Sequence, residues 1–327
     1  MAAAALASVK FDFSKLNTIE LQPKSYEVQA SFQNIRVNAA HSDIRILPSE
    51  DNTCKVVCTE GENLTHAVFV EDDTLVIAAL DDRKWYERIG ISWGTMYIDV
   101  YLPKKDLNFL YQNYGSLYLK NTSGDISVSD NLYFFDSELY STSGNINFSG
   151  ISQNWLTAQT ASGNIVIDDF VTGNLKLSST SGDINLTSIK VQSIDAETSS
   201  GNINGQYVTA SSKSSITNNS GNITMEDVSS RELSAYCSSG DIDFSSLITD
   251  ENLFLETHNG NITLTGDAKN LQIHAFDGNI DATLRTEKLF SAHTVSGHVD
   301  IPESSSNAQG KCEAITTSGN IKITVAP

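Results

Sequence analysis

The chain has 327 residues, 39% of them hydrophobic, with 21 Lys plus Arg against 40 Asp plus Glu and a formal net charge of −19. That length admits two ordinary domains or one elongated repeat array with a cap. The acidic excess argues against nucleic acid, anionic membrane and acidic polymers as partners, which need clustered Lys and Arg; it suits the solubility of an exposed β structure.

Residues 1–16 read as a leader or as the trimmed end of a longer membrane-proximal segment. Met1 to Val9 is apolar, but it is shorter than the roughly 20 residues that span a bilayer and lacks the basic start of a signal peptide. Membrane contact is therefore expected only through an N-terminal anchor missing from this chain.

Residues 17–114 carry dense strand signals without a long repeat and read as an N-terminal β cap. Asn34–Asn38 and Asp43–Leu47 alternate apolar and polar residues, and Cys54–Cys58 is a third such run. Ala67–Val70 and Thr74–Ile77 flank Glu71-Asp72-Asp73 as a β-hairpin. Tyr97–Leu102 stops at Pro103, which cannot donate to a ladder. Cys54 and Cys58 lie roughly 13 Å apart along a strand, too far for a disulfide, and Cys237 and Cys312 fall in distant repeats. All four cysteines read as small buried hydrophobes, without the paired spacing of a zinc site. Between the hairpin and Tyr97, the stretch Arg83-Lys84-Trp85-Tyr86 with Trp93 places bases beside two of the three tryptophans. Such a loop can stack on sugar rings or clamp an anion, or simply be pinned to the cap by its aromatics.

Residues 115–327 repeat one phrase around Gly124, Gly144, Gly163, Gly182, Gly201, Gly221, Gly240, Gly260, Gly278, Gly297 and Gly319. A period of about 19 residues is the signature of a solenoid. Two residues after each glycine stands Ile, or Val at 299, and a second apolar residue usually follows two further on. Positions −7 and −5, such as Leu175 with Leu177, give a second strand. Glycine followed by Asn or Asp is corner chemistry between the two. Inward-facing strands joined by a corner, with a variable return segment, describe an all-β, parallel β-helix of about 19-residue coils. Sequential stacking leaves an open coil at Ile321-Lys322-Ile323.

Catalytic chemistry is sparse. The corner row Asp125, Asn145, Asn164, Asp183, Asn202, Asn222, Asp241, Asn261, Asn279, His298 and Asn320 reads as a structural amide ladder. His274 and His293 stand four before the glycines of consecutive repeats, so sequential stacking puts them about 5 Å apart, with Glu256 below. They are a candidate ligand-binding pair, or a solvated row. Asp168, Asp169, Glu226 and Asp227 are the acids a polysaccharide hydrolase or lyase would use. No nucleophile motif, phosphate loop or metalloprotease helix is present, and no metal or cofactor is expected.

The recurring Thr-Ser-Gly-Asp/Asn-Ile phrase, with Leu47-Pro48-Ser49-Glu50-Asp51, Arg83-Lys84-Trp85-Tyr86 and Tyr101-Leu102-Pro103 ahead of it, resembles the bacterial "putative adhesin" β-strand-repeat family over about residues 30 to 327. The resemblance implies a right-handed β-helix, usually tethered behind an N-terminal membrane segment and displayed at the cell envelope. It supplies no catalytic residues. The expected function is a non-enzymatic, surface-displayed adhesin-like module that binds or scaffolds through its ladder faces. A cell-wall glycan or an envelope protein is the expected partner. The alternatives are a carbohydrate-active β-helix enzyme and an envelope-stress accessory with a membrane partner.

Overall fold

The computed structural model describes residues 21–82, 96–103, 114–169, 173–306 and 308–326. Every regular element among them is a β-strand, and the chain divides into two units, Met1–Gly144 and Asn145–Pro327. The first unit holds β1 (Gln22–Val28), β2 (Asn34–Asn38), β3 (Asp43–Pro48), β4 (Cys54–Glu60) and β5 (Leu64–Glu71). It continues with β6 (Thr74–Asp81), β7 (Tyr97–Leu102), β8 (Tyr114–Ser123), β9 (Ile126–Val128) and β10 (Tyr133–Ser143). The second unit begins with β11 (Ile146–Phe148), β12 (Ile151–Ser162), β13 (Ile165–Asp168), β14 (Asn174–Ser181), β15 (Ile184–Val191) and β16 (Ser193–Ser200). Longer strands follow: β17 (Ile203–Ser220), β18 (Ile223–Ser239), β19 (Ile242–Asn259) and β20 (Ile262–Asp277). The chain ends with β21 (Ile280–Leu284), β22 (Leu289–Ser296), β23 (Val299–Asp300), β24 (Lys311–Ser318) and β25 (Ile321–Val325).

In the first unit the alternation in Asn34–Asn38 and Asp43–Pro48 builds coil strands. β2 pairs in parallel with β6 on one side and β8 on the other, and β3 does the same between β7 and β9. The registers stack Leu75, Ile35 and Leu117 in one column and Ile98, Ile44 and Ile126 in another, all buried. Chain order and spatial order therefore differ, since the coil made first lies between the two made later. Antiparallel strands do the covering: β4 runs against β1 and β7, and β5 forms a hairpin with β6. That hairpin turns on Asp72 and Asp73, whose φ values of 47° and 60° match the left-handed turn that suits strand twist.

In the second unit the Ile column is a continuous buried ladder. Register runs Ile146, Ile165, Ile184, Ile203, Ile223, Ile242, Ile262, Ile280. Fully burying each side chain is worth roughly 1.5–3 kcal/mol. The return segment holds a third inward strand between β15 and β20, with Ile189, Val208, Val228 and Leu247 in one column. It is entered through a left-handed residue six after the glycine: Asp169, Ser188, Tyr207, Asp227 and Ser246 have φ between 51° and 58°. The corner was hidden because none of these is glycine.

The end of the stack corrects the expectation of sequential coils. β24 lies between β20 and β22, and β25 between β21 and β23. Ile321–Val325 is therefore not the open coil; Leu289–Asp300 is. Packing explains the exchange. β24 and β25 put Cys312, Ala314, Thr316, Ile321 and Ile323 fully inside, whereas Phe290, Ala292, Thr294 and Val299 are only half-buried. Ser304 Oγ accepts the Phe290 N–H at 2.9 Å on the outer edge of β22, which blunts that edge.

Candidate functional site

Most of the repeat's polar residues are consumed by the coils themselves. From Asn145 to Asn320, each corner Asn or Asp accepts, through Oδ1, the backbone N–H of its counterpart on the next coil. Asn164 accepts from Asp183 at 2.9 Å, Asn222 from Asp241 at 3.0 Å and Asp241 from Asn261 at 2.7 Å. The row ends Asn279, Asn320, His298, so the one member without a side-chain carbonyl or carboxylate is the one with no coil beyond it. Three residues before several of the glycines a second ladder donates to the glycine carbonyl of the neighbouring coil: Thr198 to Gly182 at 3.1 Å, Asn218 to Gly201 at 2.8 Å, Thr257 to Gly240 at 2.9 Å. Cys237 takes that place with a thiol, 3.1 Å from Gly221 O.

Titratable groups inside the coils are structural as well. All four thiols are buried and unpaired; burial pushes Cys54, Cys58 and Cys312 up to about 12 and so keeps them unreactive. In the first unit Glu60 Oε1 accepts from the Tyr26 hydroxyl at 2.5 Å and the His66 N–H at 2.8 Å, and Lys24 pairs with Oε2 at 3.2 Å. The His66 side chain is 1% exposed, so the imidazole is closed to solvent, while Lys24 at 56% lies on the surface. Arg45 grips the buried Asp99 with two nitrogens, at 2.5 and 2.8 Å. In the second unit Lys288 is 2% exposed, and its Nζ reaches Asp267 Oδ1 (2.8 Å), Ala268 O (2.6 Å) and Gln309 O (3.0 Å). Its three donors are spent on tying the last coils together. No group of three metal-ligating side chains occurs among the described residues.

Of the residues expected to bind a ligand, Arg83, Lys84, Trp85, Tyr86 and Trp93 lie outside the described residues. His274 and His293 are described, and they are not neighbours: Ile315 of β24 stands between them in register. The expected contact fails because β24 is inserted between the two coils. His274 does lie beside Glu256 in register, and its ring meets Phe254 edge-on at 5.7 Å. The acids considered for catalysis are also apart. Asp168 and Asp169 sit three coils from Glu226 and Asp227, on the order of 14 Å by the inter-strand spacing, beyond the reach of a paired-carboxylate mechanism.

What the structure does assemble is an outward face on β18, β19, β20, β24 and β22. On coils nearer the start of the unit, the outward positions carry residues such as Lys176, Ser178, Asp195, Glu197 and Thr217, alongside Trp155 of β12, which is 43% exposed. From β18 onward they carry Tyr236, Phe254, His258, Phe276, Ile315 and Val295, with Phe276 48% and Val295 73% exposed. The rings of His258 and Phe276 stack at 4.6 Å, within 8° of parallel. Four residues back along the strands, at Phe254, lies a groove of about 670 Å³ whose lining mixes Asn252, Gln272, Lys311 and Glu313 with Leu289 and Phe290. Asn270 Nδ2 donates to Asn252 Oδ1 across the coils at 3.1 Å. The sequence carried this signal as aromatic residues two, four and six places before a glycine, but the attention given to histidine spacing missed it.

Comparison with known proteins gives a family and a fold. The family described as Toastrack DUF4097 matches residues 32–226 and 207–327. No curated protein matches this chain. Solved structures similar to it include a "putative lipid binding protein" from Parabacteroides distasonis ATCC 8503, 14% identical, covering 94% of this chain and 97% of that one, with a TM-score of 0.36. A "putative adhesin" from Bacteroides fragilis NCTC 9343 is 14% identical with the same coverage and a TM-score of 0.31. Another from Parabacteroides merdae ATCC 43184 is 13% identical, again with that coverage, at 0.31.

Proposed function

Because this chain belongs to the Toastrack DUF4097 family, and its coils spend their polar groups on one another, we propose that it is a non-enzymatic, adhesin-like binding or scaffold module displayed at the cell envelope. The observation that carries this reading is the outward face of β18 to β24, where exposed rings recur on stacked coils without a cleft of paired acids and bases. Ligands bound on such a face make repeated shallow contacts, and affinity accumulates by multivalency rather than in one deep pocket. The partner is a cell-wall glycan or another envelope protein.

Affinity electrophoresis through neutral and acidic polysaccharides tests the reading, with polymer length measured afterwards and immobilised envelope proteins run in parallel. Retention by a polysaccharide or an envelope protein, with every polymer left intact, is the expected result. Shortened polymer would overturn it in favour of a carbohydrate-active enzyme. Retention by none of them would remove the binding role.

A further inference from the structure

Resting on the binding-module reading, we infer that the outward face of β19, β20, β24 and β22 is a binding site for one uncharged polysaccharide chain. The site is built from two ring platforms, with a groove of mixed apolar and polar lining at the Phe254 end of the face. One platform is the His258–Phe276 stack, its rings 4.6 Å apart and within 8° of parallel, with both residues exposed. The other is Phe254, held by the edge-on His274 ring at 5.7 Å. Rings fixed against a neighbour lose little freedom on binding, so the apolar surface they leave exposed is available to the C–H groups of sugars at low entropic cost.

Register gives the span. Phe254 and Phe276 lie on adjacent coils, with Phe254 aligned with Gln272, four residues before Phe276. The offset is on the order of 14 Å: roughly 13 Å along the strand and about 4.8 Å across to the next coil. One monosaccharide cannot touch both platforms, whereas a chain can. The groove supplies what sugar hydroxyls require, namely groups that donate and groups that accept. Asn252, Asn270 and Gln272 offer amides, Lys311 donates and Glu313 accepts.

Charge selects among polymers. On these strands Lys311 stands against Glu313, Glu256 and the exposed Asp277, a small acidic balance in a chain whose net charge is −19. A cationic partner would find stronger attraction elsewhere on the molecule, and an anionic polymer would meet long-range repulsion. The uncharged chain fits this face.

The test uses the full chain in native gels containing a mixed-linkage β-glucan, a xylan, a mannan or polygalacturonate. At least one neutral polymer should retard the protein. Phe254→Ala and Phe276→Ala should each weaken that retardation by on the order of fivefold, the scale of a lost aromatic contact. Tyr207→Ala, removing an exposed ring on another face, should leave it unchanged. Circular dichroism melts of each variant separate lost contact from lost fold. Equal retardation of the wild type and both phenylalanine variants would overturn this site and leave the binding-module reading standing. Retardation by polygalacturonate alone would overturn the uncharged ligand. No retardation by any polymer would remove the glycan and leave a protein partner for the module. A dimer in light scattering that Phe276→Ala renders monomeric would show that a second copy covers the face, and would overturn the proposal as well.

Discussion

Asn222 is selected by the coil stacked on it rather than by solvent. Its Oδ1 accepts the Asp241 N–H at 3.0 Å, and its own N–H donates to Asn202 Oδ1 at 2.9 Å. Asn222→Leu keeps the backbone and removes the acceptor at an exposed corner, so thermal melts should show a loss of about 0.5–1.5 kcal/mol, the net worth of that bond once water meets the donor. The glycine column answers to a different constraint. A Cβ at Gly182 would lie 1.9 Å from Gly163 O, so Gly182→Ala must push two coils apart. It should cost more than about 2 kcal/mol by the same measurement. His66 makes stability depend on pH. Burial lowers its pKa, and the opposing pull of the nearby Glu60 carboxylate does not restore it; Lys24 lowers it further. The unfolded chain therefore takes up this proton first. The stability it contributes is present above its ordinary value, near 6.5, and is lost as pH falls through the depressed folded value. Melts between pH 7.5 and 5.5 should show a decline that His66→Gln removes.

At the scale of strands, the ends of the stack separate what the sequence specifies from what it leaves open. The Gly-Asn-Ile phrase names a corner and an inward column, and those were legible because Gly182, Asp183 and Ile184 each do one physical job. The phrase does not say which coil lies above. A glycine carbonyl can meet the glycine of another corner, so Gly278, Gly297 and Gly319 do not by themselves name their order. Burial decides it, because Cys312, Ala314, Ile321 and Ile323 fill an interior coil better than Phe290, Ala292 and Val299. His298 was the one local clue, a corner residue without an acceptor for a next coil. The misplaced His274–His293 pair follows from the same ambiguity, as does the overlooked aromatic face. The inverted order predicts hydrogen-exchange behaviour contrary to chain position. Peptides spanning Lys311–Val325 should be protected for longer than those spanning Leu289–Asp300, although they lie nearer the C-terminus, because only the former have coils on both sides. Faster exchange in Lys311–Val325 would mean that the last coils stack in chain order.

For the molecule as a whole, one consequence of the charge separates stability from binding. With a net charge of −19, the folded chain repels itself, and added salt screens that repulsion as the Debye length falls from about 30 Å at 0.01 M to about 8 Å at 0.15 M. The melting temperature should therefore rise by a few degrees over that range. Recognition of an uncharged chain on the Phe254–Phe276 face depends on ring contacts and short hydrogen bonds, which a Debye atmosphere scarcely alters. Retardation by a neutral polysaccharide, measured at both ionic strengths, should change by less than about twofold while stability climbs. A basic partner drawn by the acidic surface would behave oppositely, losing affinity steeply with salt. The two curves measured on one preparation thus distinguish a face that reads shape and hydroxyls from a surface that attracts charge. Parallel salt dependence of binding and of melting would count against the ring platforms as the site of recognition.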